Sequence, residues 1–446
     1  MMADQTSPEL PVIVIGAGLA GLSCAFELAE RKLPVLLLES NSILGGRTSS
    51  WTDDGMVVES GLHKYLGVYR ALPELLKRAG ASESNAVAWV DDLEIHDPEV
   101  GAAKFTAAPY NRPLRSVWKA LTNTHFLPMV EKAKLLRMTF AGLRAVWKDP
   151  HGLDQVSLAD FARRYGVDEA IVKRLLFTST QAIFFLAADQ FSAYAAFAPA
   201  AEGLKHGGTM RIGAFRGGMG DVLVKPLASA IEDKGGIIRT GVKVEDLQFD
   251  GQRVTGVVTA NETLPASHVV LATPLQVAQQ LIRRSLGFHP WFQPMLALQT
   301  LSAATIQFEL SEPLWTSDHT HFSPTAMCCF AEQSHTTFTH VTGRLSAILY
   351  PPEDFLGLAP DETAERVYAA AAEMGIQLRE KVTRYRIVNH PHDFYLLAPG
   401  TESKRPEQQT PVPGLSLAGD YTKQPLIATM EGAVISGQRA AAAITL

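Results

Sequence analysis

The sequence predicts an α/β protein of two domains, one built on a parallel sheet to which the chain returns twice, the other a mixed α+β domain. Three observations carry this. Pro11 to Glu39 reads as strand, glycine turn, helix and strand. The tail repeats that theme, with Leu415–Asp420 a strand ending in Gly419-Asp420 and Thr429–Val434 opening a last helix. Between them, Leu275 to Tyr395 carries β-rich runs that break the alternation of strand and helix.

In the first stretch the strands are Val12–Ile15 and Val35–Leu38, apolar throughout, as in a sheet covered on both faces. The turn between them is Gly16-Ala17-Gly18-Leu19-Ala20-Gly21, a G-x-G-x-x-G pattern opening a helix. Gly16 permits the sharp turn, Gly18 lets backbone approach a pyrophosphate, and Gly21 lets the helix pack close to the strand. The helix N-terminus offers free N–H groups and the positive end of its dipole. Glu39 closes the second strand, where an acid can bond the hydroxyls of an adenosine ribose. A Rossmann-like dinucleotide-binding domain follows; the alternative is a βα turn that needs glycine only for packing.

With 446 residues, two domains are expected. Hydrophobic residues make up 46% and charged residues 19%, and the net charge of −6 gives no electrostatic case for nucleic acid. Cys24, Cys328 and Cys329 form neither a disulfide framework nor a metal-ligand spacing, which suits a reducing, cytoplasmic setting. Met1–Leu10 lacks the basic start of a secretory signal. No run of about 20 apolar residues occurs, so membrane contact is expected to be peripheral at most.

Leu44-Gly45-Gly46-Arg47 suits a loop pressed against a cofactor, with Arg47 near its phosphates, or else a surface turn with a solvated Arg. Gly61-Leu62-His63-Lys64-Tyr65 follows the apolar strand Met56–Val58; Gly61 suggests backbone passing close to something flat or charged. His63 either faces cofactor or substrate or is a hydrogen-bonded loop histidine. Pro73–Ala79 reads as a short helix stopped by Gly80. Leu93–Ile95 and Ala103–Ala107 look like hairpin strands, and a helical region is expected over Leu114–Tyr194. Within it, Phe126–Trp147 mixes Leu, Met and Phe with Lys132, Lys134, Arg137 and Arg144. That pattern fits either a membrane-docking surface or a core-facing helix with solvated basic residues. Thr180–Ala188 lines an apolar cavity or fills the core.

Phe215–Asp221 is a further glycine-rich turn, opening a helix over Val222–Asp233. Strands are expected within Ile237–Leu247 and at Val254–Thr259 and Val269–Ala272. In the second domain they are expected at Ala304–Leu310, Met327–Ala331, Thr336–Val341, Leu345–Tyr350 and Tyr385–Val388, with a helix over Asp361–Met374. Ranges 8–85, 205–274 and 399–446 are thus assigned to the nucleotide domain, and 86–204 and 275–398 to the substrate domain. In the tail, Asp420 can take a ribityl or ribose hydroxyl, or serve as a turn aspartate. Backbone N–H groups at Met430–Gly432 can stabilise negative charge on a reduced ring.

Together, Gly16–Glu39, Gly45–Arg47, Gly61–Tyr69 and Leu417–Ala433 resemble the FAD-dependent amine oxidase superfamily. Ser60–Leu76 and the tail from Ala418 resemble its phytoene and zeta-carotene desaturase branch. The resemblance implies a p-hydroxybenzoate hydroxylase-like two-domain flavoprotein with FAD bound by three chain segments, and an apolar, isoprenoid-like substrate. It places Gly16, Ala17, Gly18 and Gly21 at the pyrophosphate, Glu39 at the ribose, and Gly46 and Arg47 beside the phosphates. His63, Lys64 and Tyr69 match positions near the flavin, together with Gly61. Val244 matches an adenine contact through its backbone; Gly419, Asp420 and Met430 match the ribityl chain and ring. The amine-oxidising branch usually carries a Tyr before the Met-Glu-Gly-Ala run and a Lys after the Thr-Pro strand end. Here the Tyr position holds Thr429, and Leu275–Ile282 contains no Lys.

The implied reaction is a carotene desaturase-like dehydrogenation by hydride transfer to flavin N5, with His63 the one candidate base and quinone or oxygen as electron acceptor. A squalene-type dehydroxylase, an amine or porphyrinogen oxidase, and a non-catalytic binding module are the alternatives.

Overall fold

Alternation of buried apolar strands with helices builds the first layer. The computed structural model describes residues 10–97, 99–106, 126–206 and 211–445. Val12–Ile15 lies at the centre of a five-stranded parallel sheet in the spatial order Ile237–Arg239, Val35–Leu38, Val12–Ile15, His268–Leu271, Leu415–Leu417. Its three central strands come from the start and middle of the chain and one edge from the tail, so this sheet gathers sequence segments hundreds of residues apart.

Helix Leu19–Glu30 packs along the last helix, Met430–Ala442. A Cβ on Gly437 would collide with the Ala20 carbonyl, so glycine is what permits the approach. Ser23 Oγ donates to the Val434 carbonyl at 3.0 Å. Arg31 donates to the Ala441 and Ile444 carbonyls at 2.6 and 2.7 Å, closing the far end of the last helix.

The second large sheet has seven strands, ordered Val382–His390, Ala303–Leu310, Gly343–Leu349, Met327–Glu332, Thr320–Phe322, Asp92–Asp97, Gly101–Thr106. All its neighbours are antiparallel except Thr320–Phe322 and Asp92–Asp97, which run parallel over three residues. Alternation assigns the faces. Phe308, Phe330, Leu345 and Ala347 pack with helix Pro360–Glu373, while Cys329, Ala331 and Ile348 pack with Leu62 on the other side.

Helices and strands fall close to their expected places, with instructive exceptions. The short helix is Ala71–Arg78. Lys225–Asp233 is entered through a widened turn at Gly220–Val224, because the Met219 and Gly220 N–H groups are held by Glu59 and Ser50 at 2.9 Å each. Thr336–Val341 is not a strand. The Thr337 and Phe338 N–H groups turn back onto the Gln333 carbonyl, and Asp318 holds His335 and Thr336. Its alternating apolar character serves to bury Phe338 under the Arg344 guanidinium, 4.4 Å from the ring centroid. The helical region from Phe126 divides into Met129–Lys148 and several shorter helices. Its expected beginning at Leu114, and Ala107, lie outside the described residues.

Glu431 ties the tail to the early chain. Its carboxylate, almost fully buried, accepts from the N–H groups of Arg70, Ala71 and Leu72 at 2.6, 2.6 and 2.8 Å. One side chain thereby satisfies the first-turn donors of Ala71–Arg78 from another helix. Glu431→Ala leaves these donors without an acceptor and is expected to cost about 3 kcal/mol. The measure is a lower thermal midpoint than that of Glu431→Gln, which keeps one acceptor oxygen.

Candidate functional site

The site begins at the C-terminal ends of the parallel strands. Gly16 has φ of +99°, and a Cβ on Gly21 would collide with the Gly16 carbonyl oxygen. These two glycines let the turn fold over the helix start. Gly18 is different: a Cβ there would find no atom nearer than 3.9 Å. Its lack of a side chain leaves open space in front of helix Leu19–Glu30, whose first turn has no side-chain cap. That leaves a cradle for anionic oxygens. Gly45 donates to the Ala17 carbonyl at 2.8 Å and Gly46 lies against Gly18, so the second glycine loop lies beside the first.

Glu39 is buried at the mouth of this turn. One carboxylate oxygen accepts from the Ala17 N–H at 2.8 Å, the other from the Asn41 N–H at 2.9 Å. The Glu39 carbonyl receives the Val242 N–H at 2.9 Å, which brings the strand beginning at Val244 alongside.

At the other end, Arg47 donates to Asp420 Oδ1 at 2.7 Å and stands 3.9 Å from Asp393. Asp420 Oδ2 is buried with no hydrogen-bond partner among the described residues. Gly419 donates to Ser436 Oγ at 2.8 Å. Arg405, almost fully buried, donates to the carbonyls of Asp420, Tyr421, Thr422 and Gln424 and so shapes the loop after Asp420. Thr429 caps the last helix: its Oγ1 accepts from the Gly432 N–H at 3.0 Å and donates to the Leu426 carbonyl at 2.7 Å. Met430 sits in that first turn, and burial beside Glu431 holds the Tyr69 phenol above its ordinary pKa, with Thr429 and the Met430 backbone working the other way.

Between these ends runs the loop Gly61–Tyr65. His63 Nδ1 lies 3.2 Å from the Gly61 carbonyl, and burial lowers its pKa, so the imidazole is neutral at pH 7. Lys64 Nζ donates to the Asp318 carbonyl at 3.3 Å. Burial lowers its pKa, against the opposing pull of Cys329, Asp318 and Glu59. Glu59 is pushed up to about 7 by burial, with the Met219 N–H and Arg344 working the other way. An apolar wall flanks the loop: Leu62, Ala182, Phe322, Cys329, Ala331 and Ile348.

The structure thus brings Gly16, Ala17, Gly18, Gly21, Glu39, Gly45, Gly46 and Val244 to one end and Arg47, Gly419 and Asp420 to the other, with Tyr69 and Met430 beside them. Sequence reasoning passed over Glu59, Asp393, Arg405 and Glu431. Glu59 at the end of an apolar strand was a readable signal, since an acid there must be bonded or neutral; Arg405 offered none.

This arrangement fits an elongated dinucleotide. The open cradle at Gly18 suits a pyrophosphate, and the unpartnered Asp420 Oδ2 suits a hydroxyl of the chain joining it to a ring. The family model for flavin-containing amine oxidoreductases matches residues 19–445. The chain belongs to this family. It is accordingly an FAD-dependent oxidoreductase.

Among similar members of the family is the 15-cis-phytoene desaturase of Solanum lycopersicum, 27% identical, the match covering 99% of this chain and 79% of that one. The Synechococcus elongatus 15-cis-phytoene desaturase is 26% identical, covering 97% and 95%. The zeta-carotene desaturase of Arabidopsis thaliana is 27% identical, covering 98% and 85%. Among solved structures, a Methanosarcina mazei oxidoreductase superposes with TM-score 0.75 at 20% identity, covering 96% and 99%. Cyclohexylamine oxidase from Brevibacterium oxydans gives TM-score 0.75 at 19% identity, covering 98% of both chains. These last two establish the shared fold.

Asp420→Ala removes both the unpartnered oxygen and the partner of Arg47. It is expected to weaken FAD retention about 10- to 100-fold, the worth of one or two charged hydrogen bonds. Reconstitution of the apoprotein, followed by flavin fluorescence, measures this.

Proposed function

We propose that this protein dehydrogenates an apolar isoprenoid, as a phytoene- or carotene-desaturase-like enzyme. The observation that carries the reading is the wall beside His63 and Lys64, apolar from Leu62 through Phe322 and Cys329 to Ile348. The names of the full-length relatives support it. Thr429 supports it as well: the position occupied by an aromatic cage residue in amine oxidisers is spent here on capping a helix.

When bound, FAD supplies the two-electron acceptor. The chain's own residues hold it and keep water out. The N-terminus of helix Met430–Ala442 directs positive potential at the ring position the resemblance assigns to it, where negative charge develops. His63 contacts the Gly61 carbonyl through Nδ1 and is assigned to holding the loop in shape, its neutral imidazole leaving a base role to be decided by the His63→Ala variant. Incubated in vesicles with 15-cis-phytoene and a quinone, without oxygen, the protein is expected to yield a product with more conjugated double bonds. Reduction of hydroxysqualene, or peroxide released from amines, assigns it instead to one of the rival classes. In the same assay His63→Ala is expected to keep turnover within about tenfold; a loss of 10²–10⁴ would make it a catalytic base.

Such a substrate resides in lipid. No described helix is long and apolar enough to cross a membrane. Helix Met129–Lys148 supports peripheral docking: Met129, Leu136, Phe140 and Trp147 are exposed along one side, with Arg137, Arg144 and Lys148 among them. A surface helix of a monomer rarely leaves so many large apolar side chains in water. Phe140→Asp with Trp147→Asp is expected to reduce flotation with anionic vesicles at least tenfold while flavin content is unchanged. Flotation equal to that of the unaltered protein excludes this helix as the docking surface.

A further inference from the structure

The parallel pairing in the seven-stranded sheet places an unusual set of side chains together. Glu94 and His96 share one face of Asp92–Asp97, and His321 sits opposite Glu94 in the neighbouring strand. His319 precedes that strand by one residue. Their ligand atoms converge: those of Glu94, His96 and His321 all lie within 4.8 Å of one another. His96 Nε2 is 3.0 Å from His321 Nδ1 and 3.9 Å from Glu94 Oε1. Ligand atoms around a tetrahedral zinc ion, bonded at about 2.0–2.1 Å, stand about 3.4 Å apart. The set is therefore within a side-chain adjustment of that geometry.

Two features point to a ligand rather than a hydrogen-bonded cluster. His321 is fully buried, and its Nε2 has no hydrogen-bond partner among the described residues. His321 thus uses only one of its two ring nitrogens among the described residues, and a flip of the ring, which exchanges Nε2 with Cε1 beside Nδ1, turns the idle nitrogen toward the His96 side. The surroundings also hold the donors in place. His321 is stacked on Phe330, ring centroids 4.8 Å apart, with Trp315 at 4.2 Å. His319 Nε2 lies 3.3 Å from Glu94 Oε2, and its Nδ1 lies 2.8 Å from Ser317 Oγ, so an imidazole orients the carboxylate from behind. Of the nearby cations, Lys104 is paired with Asp92 at 3.1 Å and Lys64 donates to the Asp318 carbonyl at 3.3 Å.

We propose that Glu94, His96 and His321, with His319 as support or fourth ligand, form a zinc-type transition-metal site. Two imidazoles and a carboxylate suit zinc among biological divalent ions; calcium and magnesium prefer oxygen. The site is on the other face of the sheet from the candidate flavin site, with Lys64 the flavin-loop residue nearest to it. It lies on the Phe330 face of the sheet, whereas Cys329, beside Lys64, faces the other way. Its role is structural. The Asp92–Thr106 hairpin joins the sheet through a pairing only three residues long, and a metal would clamp it to Thr320–Phe322.

The test uses untagged, flavin-loaded protein stripped with a chelator and titrated with zinc against a chromophoric competitor. One zinc per chain is expected, bound at least tenfold more tightly than by the double variant Glu94→Gln, His96→Gln. Both replaced side chains are only partly buried, and retained flavin absorbance verifies folding of the variant. Zinc is also expected to raise the thermal midpoint of the unaltered protein and not of the variant. Equal affinity in the two proteins, or no zinc taken from the competitor, overturns the proposal.

Discussion

The close approach of the first and last helices is the constraint from which the site follows. Gly437 against the Ala20 carbonyl sets how near the two axes come, and Ser23 and Arg31 hold the register along their length. The first helix begins just beyond the C-terminal end of Val12–Ile15; the last follows Leu415–Leu417 through the loop 418–429, its middle passing the strand end where Gly419 donates to Ser436. Two helix N-termini therefore open on one side of the same sheet. Their partial positive charges add over a region that a long anionic cofactor can span. A bulkier residue at position 437 would separate these termini, and no local repair could bring them back.

Between those termini the chain holds its second sheet by buried polar pairing. Gln307 donates to the Glu59 carbonyl at 2.7 Å and accepts the Glu59 N–H at 3.0 Å. Arg344, fully buried, donates to Gln307 and to the Val57 carbonyl, both at 2.6 Å. These bonds fasten the hairpin Ser50–Glu59, which leads directly into the Gly61–Tyr65 loop, onto the large sheet. Apolar packing alone would leave that contact free to slide. Directional bonds fix where the loop lies relative to the apolar wall.

Much of this was legible where the signal is local. The glycine turn, its acid at Glu39 and the flanking strands are written in consecutive residues, so their pattern can be read without knowing the fold. The tail was legible for the same reason. What escaped depends on partners distant in sequence. Thr320–Phe322 is too short to declare itself and exists as a strand because Asp92–Asp97 and Met327–Glu332 lie on either side. Thr336–Val341 alternates like a strand, yet Asp318 and the Gln333 carbonyl turn it back. Arg405 and Glu431 read as surface charges until the fold supplies the carbonyls and N–H groups that each satisfies.

The fold is shared with amine oxidases, so the distinction in chemistry must rest on individual positions. Position 429 shows how such a distinction is built. The Thr429 hydroxyl is engaged twice, receiving the Gly432 N–H and donating to the Leu426 carbonyl. A tyrosine there has its oxygen too far from the backbone to cap, and losing a threonine cap costs about 1 kcal/mol. Cage and cap therefore compete for one residue. With the cap chosen, the start of the last helix is held rigidly, and Met430 and Glu431 are fixed with it. The same choice leaves a small side chain beside Tyr69 where an aromatic ring would otherwise stand, which agrees with the proposed apolar substrate.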